Sequence, residues 1–409
     1  MPEPVVPEPV VPEPVVVVPA VSGSPRVAEF DVVRAVALLG VFTMNYVVFW
    51  RVEQLRGLGW SDERAPGWLV TVLHPWSGPL STRFAATLVT LVGMGIALGA
   101  RSAVAGGDPA RISGQRWRLR RRGVLFILVG VMFDAVWSGE ILHYVGTYLI
   151  LAAWMITWST RRLVAAAFGV VAFTAALRVC VFVVVDERSF SWWNGVNARS
   201  ARRFPVGTPQ GYLSSVLSWG GHPVLPWLTF VIVGMLLARW LVPEGVDHVS
   251  NRGRLRIVLG GVVLAGAGFA FAMIANVVVT DRWAWVASLD PVSLAGSPFG
   301  LGMPAYVLSV AGTAVVAITL ISWLARRWEG LLPVRVLARA GRVTFTIYVL
   351  HGLVPWALTV HGIVGQGHGL YASLAIAFGA WSCAVTVGAL YQRWRRIGPL
   401  EWLLRRIGG

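Results

Sequence analysis
Apolar positions along the chain gather into ten runs, at about 30–50, 80–100, 123–138, 141–158, 163–185, 224–242, 257–279, 301–324, 343–360 and 370–391. Most reach the roughly 20 residues that a helix needs to cross the hydrocarbon core of a bilayer. The pattern predicts an all-α fold: a polytopic membrane helix bundle of about ten transmembrane helices. The third and fourth runs are short and almost contiguous, so their borders are the weakest. The segments between runs are too short for a soluble catalytic domain, which places any chemistry within the membrane or at its faces.

Polar residues interrupt the apolar runs at particular places. The first run carries Asp31 and Arg34 at i,i+3 on one face and Asn45 about three turns later. Charges in hydrocarbon cost roughly 2.5–3.5 kcal/mol on insertion scales, so they face a bundle interior or sit at a helix end. Asp31 and Arg34 fit an interfacial ion pair as well as the wall of a polar site, whereas Asn45 lies deeper. In the ninth run Thr344, Tyr348 and His351 recur at i,i+4,i+7 and stack on one face. His351 lies roughly 12 Å into that span. Asp134 and Arg178 project into the same half of the bilayer and suit a structural ion pair.

Composition agrees with a membrane protein. The chain is 56% hydrophobic and 13% charged, and every one of its 35 basic residues is arginine. The net charge of +16 resembles a nucleic-acid signal until the arginines are placed. All but Arg34 and Arg178 sit in short segments between spans, 24 on one side and nine on the other. The positive-inside rule then puts both termini in the cytoplasm of a bacterial cell membrane, and no nucleic-acid partner is implied. Tryptophans 60, 68, 76, 192, 193, 219, 227, 283 and 285 crowd the outer loops as an aromatic belt. Cys180 and Cys383 fall inside spans, so neither a disulfide framework nor a metal cluster is expected. Residues 1–25, with three Pro-Glu-Pro-Val-Val repeats, read as an extended tail without a core. Residues 26–409 form one transmembrane domain, ending in an interfacial helix at 398–407, where Pro399 opens a mixed Leu/Trp/Arg segment.

Two loop histidines complete the candidate chemistry. His74 stands in Leu73-His74-Pro75-Trp76-Ser77-Gly78-Pro79, with Arg83 just beyond, and an imidazole there suits proton abstraction from an alcohol or amine. His222, in Gly221-His222-Pro223, reads as a rim residue. No P-loop, dinucleotide glycine fingerprint, HExxH or GxSxG lies where it could work.

The start FDVVRAVALLGVFTMNY, the blocks RRGVLFILVGVMFD and EILHYVGTYLIL, the span AGRVTFTIYVLHGLV and the ending GPLEWLLRRI resemble the bacterial YeiB family, domain of unknown function 418. The HPVLPWLTFVIVGMLLAR block resembles members related to heparan-alpha-glucosaminide N-acetyltransferase. These are transmembrane acyltransferases that move an acyl group from cytosolic acyl-CoA to an acceptor across the membrane. The resemblance implies His74 as the catalytic histidine, followed by Trp76 and Gly78, and Tyr348-Val349-Leu350-His351 as the late-helix Tyr-x-x-His. Ser81, Thr82 and Arg83 stand where that pattern carries an acidic residue.

The expected function is acetyl transfer from acetyl-CoA to a hydroxyl or amine, such as a sugar or cell-envelope molecule. His74 and His351 are the expected catalytic residues. Asp31, Arg34, Asn45, Trp76, Arg83, Arg342 and Tyr348 are expected to bind substrate or donor. No metal is called for, the lipid bilayer is the constant partner, and self-association is left open. The alternative is a multi-pass transporter for a small compound, which intramembrane charges suit equally. The lack of an internal repeat tilts away from it.

Overall fold
The computed structural model describes residues 28–57, 65–74, 78–137, 139–184, 206–243, 249–282, 303–362 and 369–409. The tail repeats, Trp76 and most of the outer-loop tryptophans lie outside them. Among the described residues the chain is helical and no strand occurs. The elements are α1 (Ala28–Gly57), α2 (Gly67–Val72), α3 (Arg83–Ala105), α4 (Pro109–Asp134), α5 (Leu142–Met155), α6 (Thr160–Val184) and α7 (Pro209–Ser214). There follow α8 (Val224–Leu241), α9 (Asn251–Arg282), α10 (Met303–Arg327), α11 (Leu332–Ala340), α12 (Thr344–Val360), α13 (Leu370–Trp394) and α14 (Pro399–Gly408).

Eight candidate spans among the described residues are long and apolar enough to cross a bilayer. The protein is therefore membrane-embedded. The two remaining expected spans are α4 and α5. The arginine-rich stretch before 123, expected as a loop, is helical instead. Asp108 accepts from the Ala110 N–H at 2.9 Å, Pro109 follows at the first helical position, and arginine is a good helix former. One helix thus runs from a charged half into an apolar half.

α1 is the hub. Its apolar residues point all round, and it packs against α3, α10, α11, α12 and α13. α3 packs on α8, and α9 lies outside α10 with Leu259, Val263, Met273 and Ile274 exposed, as a lipid-facing helix has them. α4 and α5 form a tight antiparallel pair. A methyl group at Gly130 would lie 2.3 Å from the His143 backbone nitrogen, so only glycine lets the two backbones meet there.

Candidate functional site
α1 and α12 bring Asn45 and His351 together. The Asn45 amide nitrogen lies 2.9 Å from His351 Nε2, and the Tyr46 hydroxyl donates to the His351 carbonyl at 3.0 Å. His351 Nδ1 hydrogen-bonds the Tyr348 carbonyl, one turn back in the same helix. A carbonyl only accepts, so Nδ1 carries the proton and Nε2 accepts from Asn45. Phe42, Tyr46, Trp137 and Tyr348 enclose the ring, which is 3% exposed. Both ring nitrogens are thereby committed.

A second histidine, unremarked in the sequence, lies at the start of α5. Glu140 and His143 are spaced i,i+3, and the carboxylate hydrogen-bonds His143 Nδ1. The other carboxylate oxygen accepts from the Leu142 N–H, one of the unpaired donors at a helix start. The neighbouring Ile141 N–H donates to the Tyr348 hydroxyl at 3.1 Å, which joins this layer to α12. Across the imidazole, Nε2 lies 3.3 Å from Ser215 Oγ, and the Tyr144 hydroxyl lies 2.6 Å from the same oxygen. Glu140, His143 and Ser215 are 1%, 1% and 4% exposed. Ser215 opens a π-helical turn, Ser215–Trp219, closed by the Gly220 N–H donating to the Ser215 carbonyl at 3.0 Å. Such widened turns are frequent at functional sites.

His222 borders this cluster rather than standing alone at a rim. Its ring meets Tyr144 and Trp227 edge-on at 5.6 and 4.5 Å, and its carbonyl accepts from the Tyr148 hydroxyl. Burial lowers its pKa to about 3.

On the arginine-bearing side of the bundle lies a cavity of about 320 Å³. Arg122, Arg342, Arg396 and Arg405 line one part of it, and Ile96, Phe126, Val145 and Leu149 are among its apolar walls. Glu401, the acidic lining residue, is committed elsewhere. Its Oε1 accepts from the Phe345 and Thr346 N–H groups at 2.7 and 3.1 Å, and its Oε2 accepts from the Thr346 hydroxyl at 2.6 Å. It therefore caps the start of α12 from α14. A methyl at Gly398 would lie 2.1 Å from that carboxylate, which gives the GPLEW segment its physical reason.

Asp31 is fully buried and pairs with Arg34, while Arg342 Nε lies 3.8 Å from its other oxygen. These three residues form an ionic cluster at the cavity's edge. Asn45 lies about 21 Å further along α1, so the expected polar residues divide into two groups. Arg83 forms a third. Its guanidinium donates to the Pro79 carbonyl, to Thr313 at 2.9 Å and to Ser309 at 3.2 Å, tying α3 to α10. His74 follows α2, where Leu73 packs with Met44 and Val47 on either side of Asn45. Burial lowers its pKa. Trp76 and the side chain of Arg178 lie outside the described residues, so the Asp134–Arg178 pairing does too.

A family model described as a protein of unknown function, DUF418, matches residues 246–408. The C-terminal part of the chain is therefore similar to the DUF418 family. No curated protein and no solved structure matches it. The matched region holds Arg342, Tyr348, His351, Arg396 and Glu401. Asn45, Glu140, His143 and Ser215 lie before it. Sequence reasoning missed those last three, although Glu140-x-x-His143 at a helix start was a readable signal.

Proposed function
We propose that the protein is an integral-membrane acyltransferase of a bacterial cell membrane. It takes an acyl group, such as acetyl, from acyl-CoA at the cytoplasmic face. The acceptor is a hydroxyl or amine on the other side, on a sugar or cell-envelope molecule. The observation that carries this reading is the cavity. Its arginine end suits phosphates, which guanidinium groups bind by charge-assisted, often bidentate hydrogen bonds. Its volume is at the low end for a whole ligand site, which suits a narrow pantetheine arm with the nucleotide left outside. Its wall reaches Val145 and Leu149 on α5, the helix that carries His143 near its start.

In this reading His143 is the general base, oriented by Glu140, which also stabilises the imidazolium once a proton has moved. His351 and Asn45 form the packed wall beside it. His74, near the end of α1 that carries Asn45, handles the acceptor.

The test is acetyl-CoA binding and turnover by purified protein in nanodiscs. Arg396→Ala is expected to weaken acetyl-CoA binding about tenfold, the loss of roughly one charge-assisted contact. Radiolabelled acetyl groups should reach envelope glycans. No binding of acetyl-CoA at millimolar concentration, together with CoA-independent uptake of small solutes into proteoliposomes, would overturn the enzyme in favour of a transporter.

A further inference from the structure
Buried hydroxyls are common in this bundle, and most have the same use. Thr87, Thr90, Ser309, Thr319 and Ser322 each donate to a carbonyl of their own helix, three or four residues back. That back-bonding is the ordinary way for a helical hydroxyl to be satisfied away from water. Ser215 differs. Among the described residues its Oγ faces an imidazole nitrogen and a phenol, and the imidazole is backed by a carboxylate.

We propose that Ser215 is a nucleophile that carries the acyl group as a covalent ester between donor and acceptor. The inference rests on the acyl-CoA reading for the donor's identity but on the Ser215–His143–Glu140 geometry for the chemistry. Carboxylate, imidazole and hydroxyl lie in sequence. Nδ1 faces the carboxylate, and Nε2 is left to accept the hydroxyl proton. With the Ser215 hydroxyl donating to His143, the Tyr144 hydroxyl is the donor to Ser215 Oγ and supports the charge that develops there. The Tyr144 ring packs on the His143 ring, with centroids 3.8 Å apart, which holds the phenol in place. Ser215 directly follows α7, where its own N–H donates to the Gly211 carbonyl, so carbonyls of the preceding turn lie at hand; its hydroxyl meets His143 and Tyr144 instead.

The two half-reactions balance. Ser215 Oγ attacks the thioester carbonyl and its proton passes to His143 Nε2. The carbon–sulfur bond breaks, and the departing sulfur takes that proton from His143 to leave as the free thiol of CoA. In the second half an acceptor hydroxyl or amine attacks the Ser215 ester and gives its proton to Nε2. The bond to Oγ then breaks, and Oγ recovers the proton.

The experiment incubates the full chain, purified in nanodiscs, with radiolabelled acetyl-CoA and no acceptor, then denatures it. The expected result is label that survives denaturation, resists neutral hydroxylamine and is released by alkaline hydroxylamine, as an oxygen ester behaves. The acetylated peptide should contain Ser215. Ser215→Ala should abolish label and lower transfer about 100-fold or more. Ser215→Cys, which preserves shape, should give label that neutral hydroxylamine removes. Label on His74 or Cys383, or transfer by Ser215→Ala at the parent rate, would overturn the proposal while leaving acyl transfer intact. If acetyl-CoA gives no label, para-nitrophenyl acetate distinguishes the two failures. An adduct at Ser215 that His143→Gln loses would keep the nucleophile and remove CoA as donor. No adduct with either reagent would overturn the nucleophile.

Discussion

His351 and His143 are both buried, and both have two occupied ring nitrogens, yet their partners differ in kind. His351 is held between an amide and a carbonyl of its own helix. A proton added to it would find no carboxylate among these partners to balance it. His143 is held between a carboxylate and a hydroxyl. It can take the hydroxyl proton and leave its positive charge paired with Glu140. Depth in the membrane does not make a histidine a base; the charge of its neighbours does.

The largest effect that could break this comparison is on turnover. Glu140→Gln and His143→Gln are each expected to lower acyl transfer by about 10²–10⁴-fold, the range of a positioned acid–base group. His351→Gln should stay within about tenfold of the parent. Steady-state rates measured on protein of unchanged elution profile check this. Equal losses at both histidines would erase the distinction.

Stability should rank the two the other way. His351→Ala leaves the Asn45 amide without its ring partner, at a cost of about 1–3 kcal/mol. Asn45→Leu combined with His351→Leu, which removes both polar groups, should recover much of that loss. Thermal midpoints in a single detergent decide it. A double variant no better than His351→Ala would show that the pair does more than satisfy itself.

Acidity offers the smallest and sharpest handle. His222, beside His143, has its pKa lowered to about 3. Between pH of about 6.5 and about 3 the unfolded chain binds a proton that folded His222 refuses. Stability therefore rises with pH across that window and is lost on acidification, by at most about 1.4 kcal/mol per pH unit. His222→Gln should flatten the dependence of thermal midpoint on pH. An unchanged slope in that variant would assign the acid sensitivity to another group.

Much of this fold was legible because hydropathy reports solvent. Eight of the ten expected runs recur as membrane-length helices among the described residues. The face of Tyr348 and His351 was readable from helical spacing alone. Thr344, on the same face, instead donates back to the Gly341 carbonyl. Ser215 was not readable, because its partners lie 71 and 72 residues earlier in the chain and no local period encodes that distance. Glu140 and His143 were hidden by the weak border between the third and fourth runs, where hydropathy blurs a turn of polar residues. The division of the polar residues along α1 was equally invisible, since composition does not say which turn of a long helix faces which partner.

The carboxylate of Glu401 reaches from the last helix to the first turn of the helix that bears Tyr348 and His351. Trimming the chain before residue 398 would do more than shorten it. Two backbone amides would lose their acceptor at the root of α12, and the floor of the arginine-lined chamber would go with them. The terminal segment behaves as a keystone, so reporters and affinity tags are best joined beyond Gly409 through a spacer long enough to leave that wedge seated.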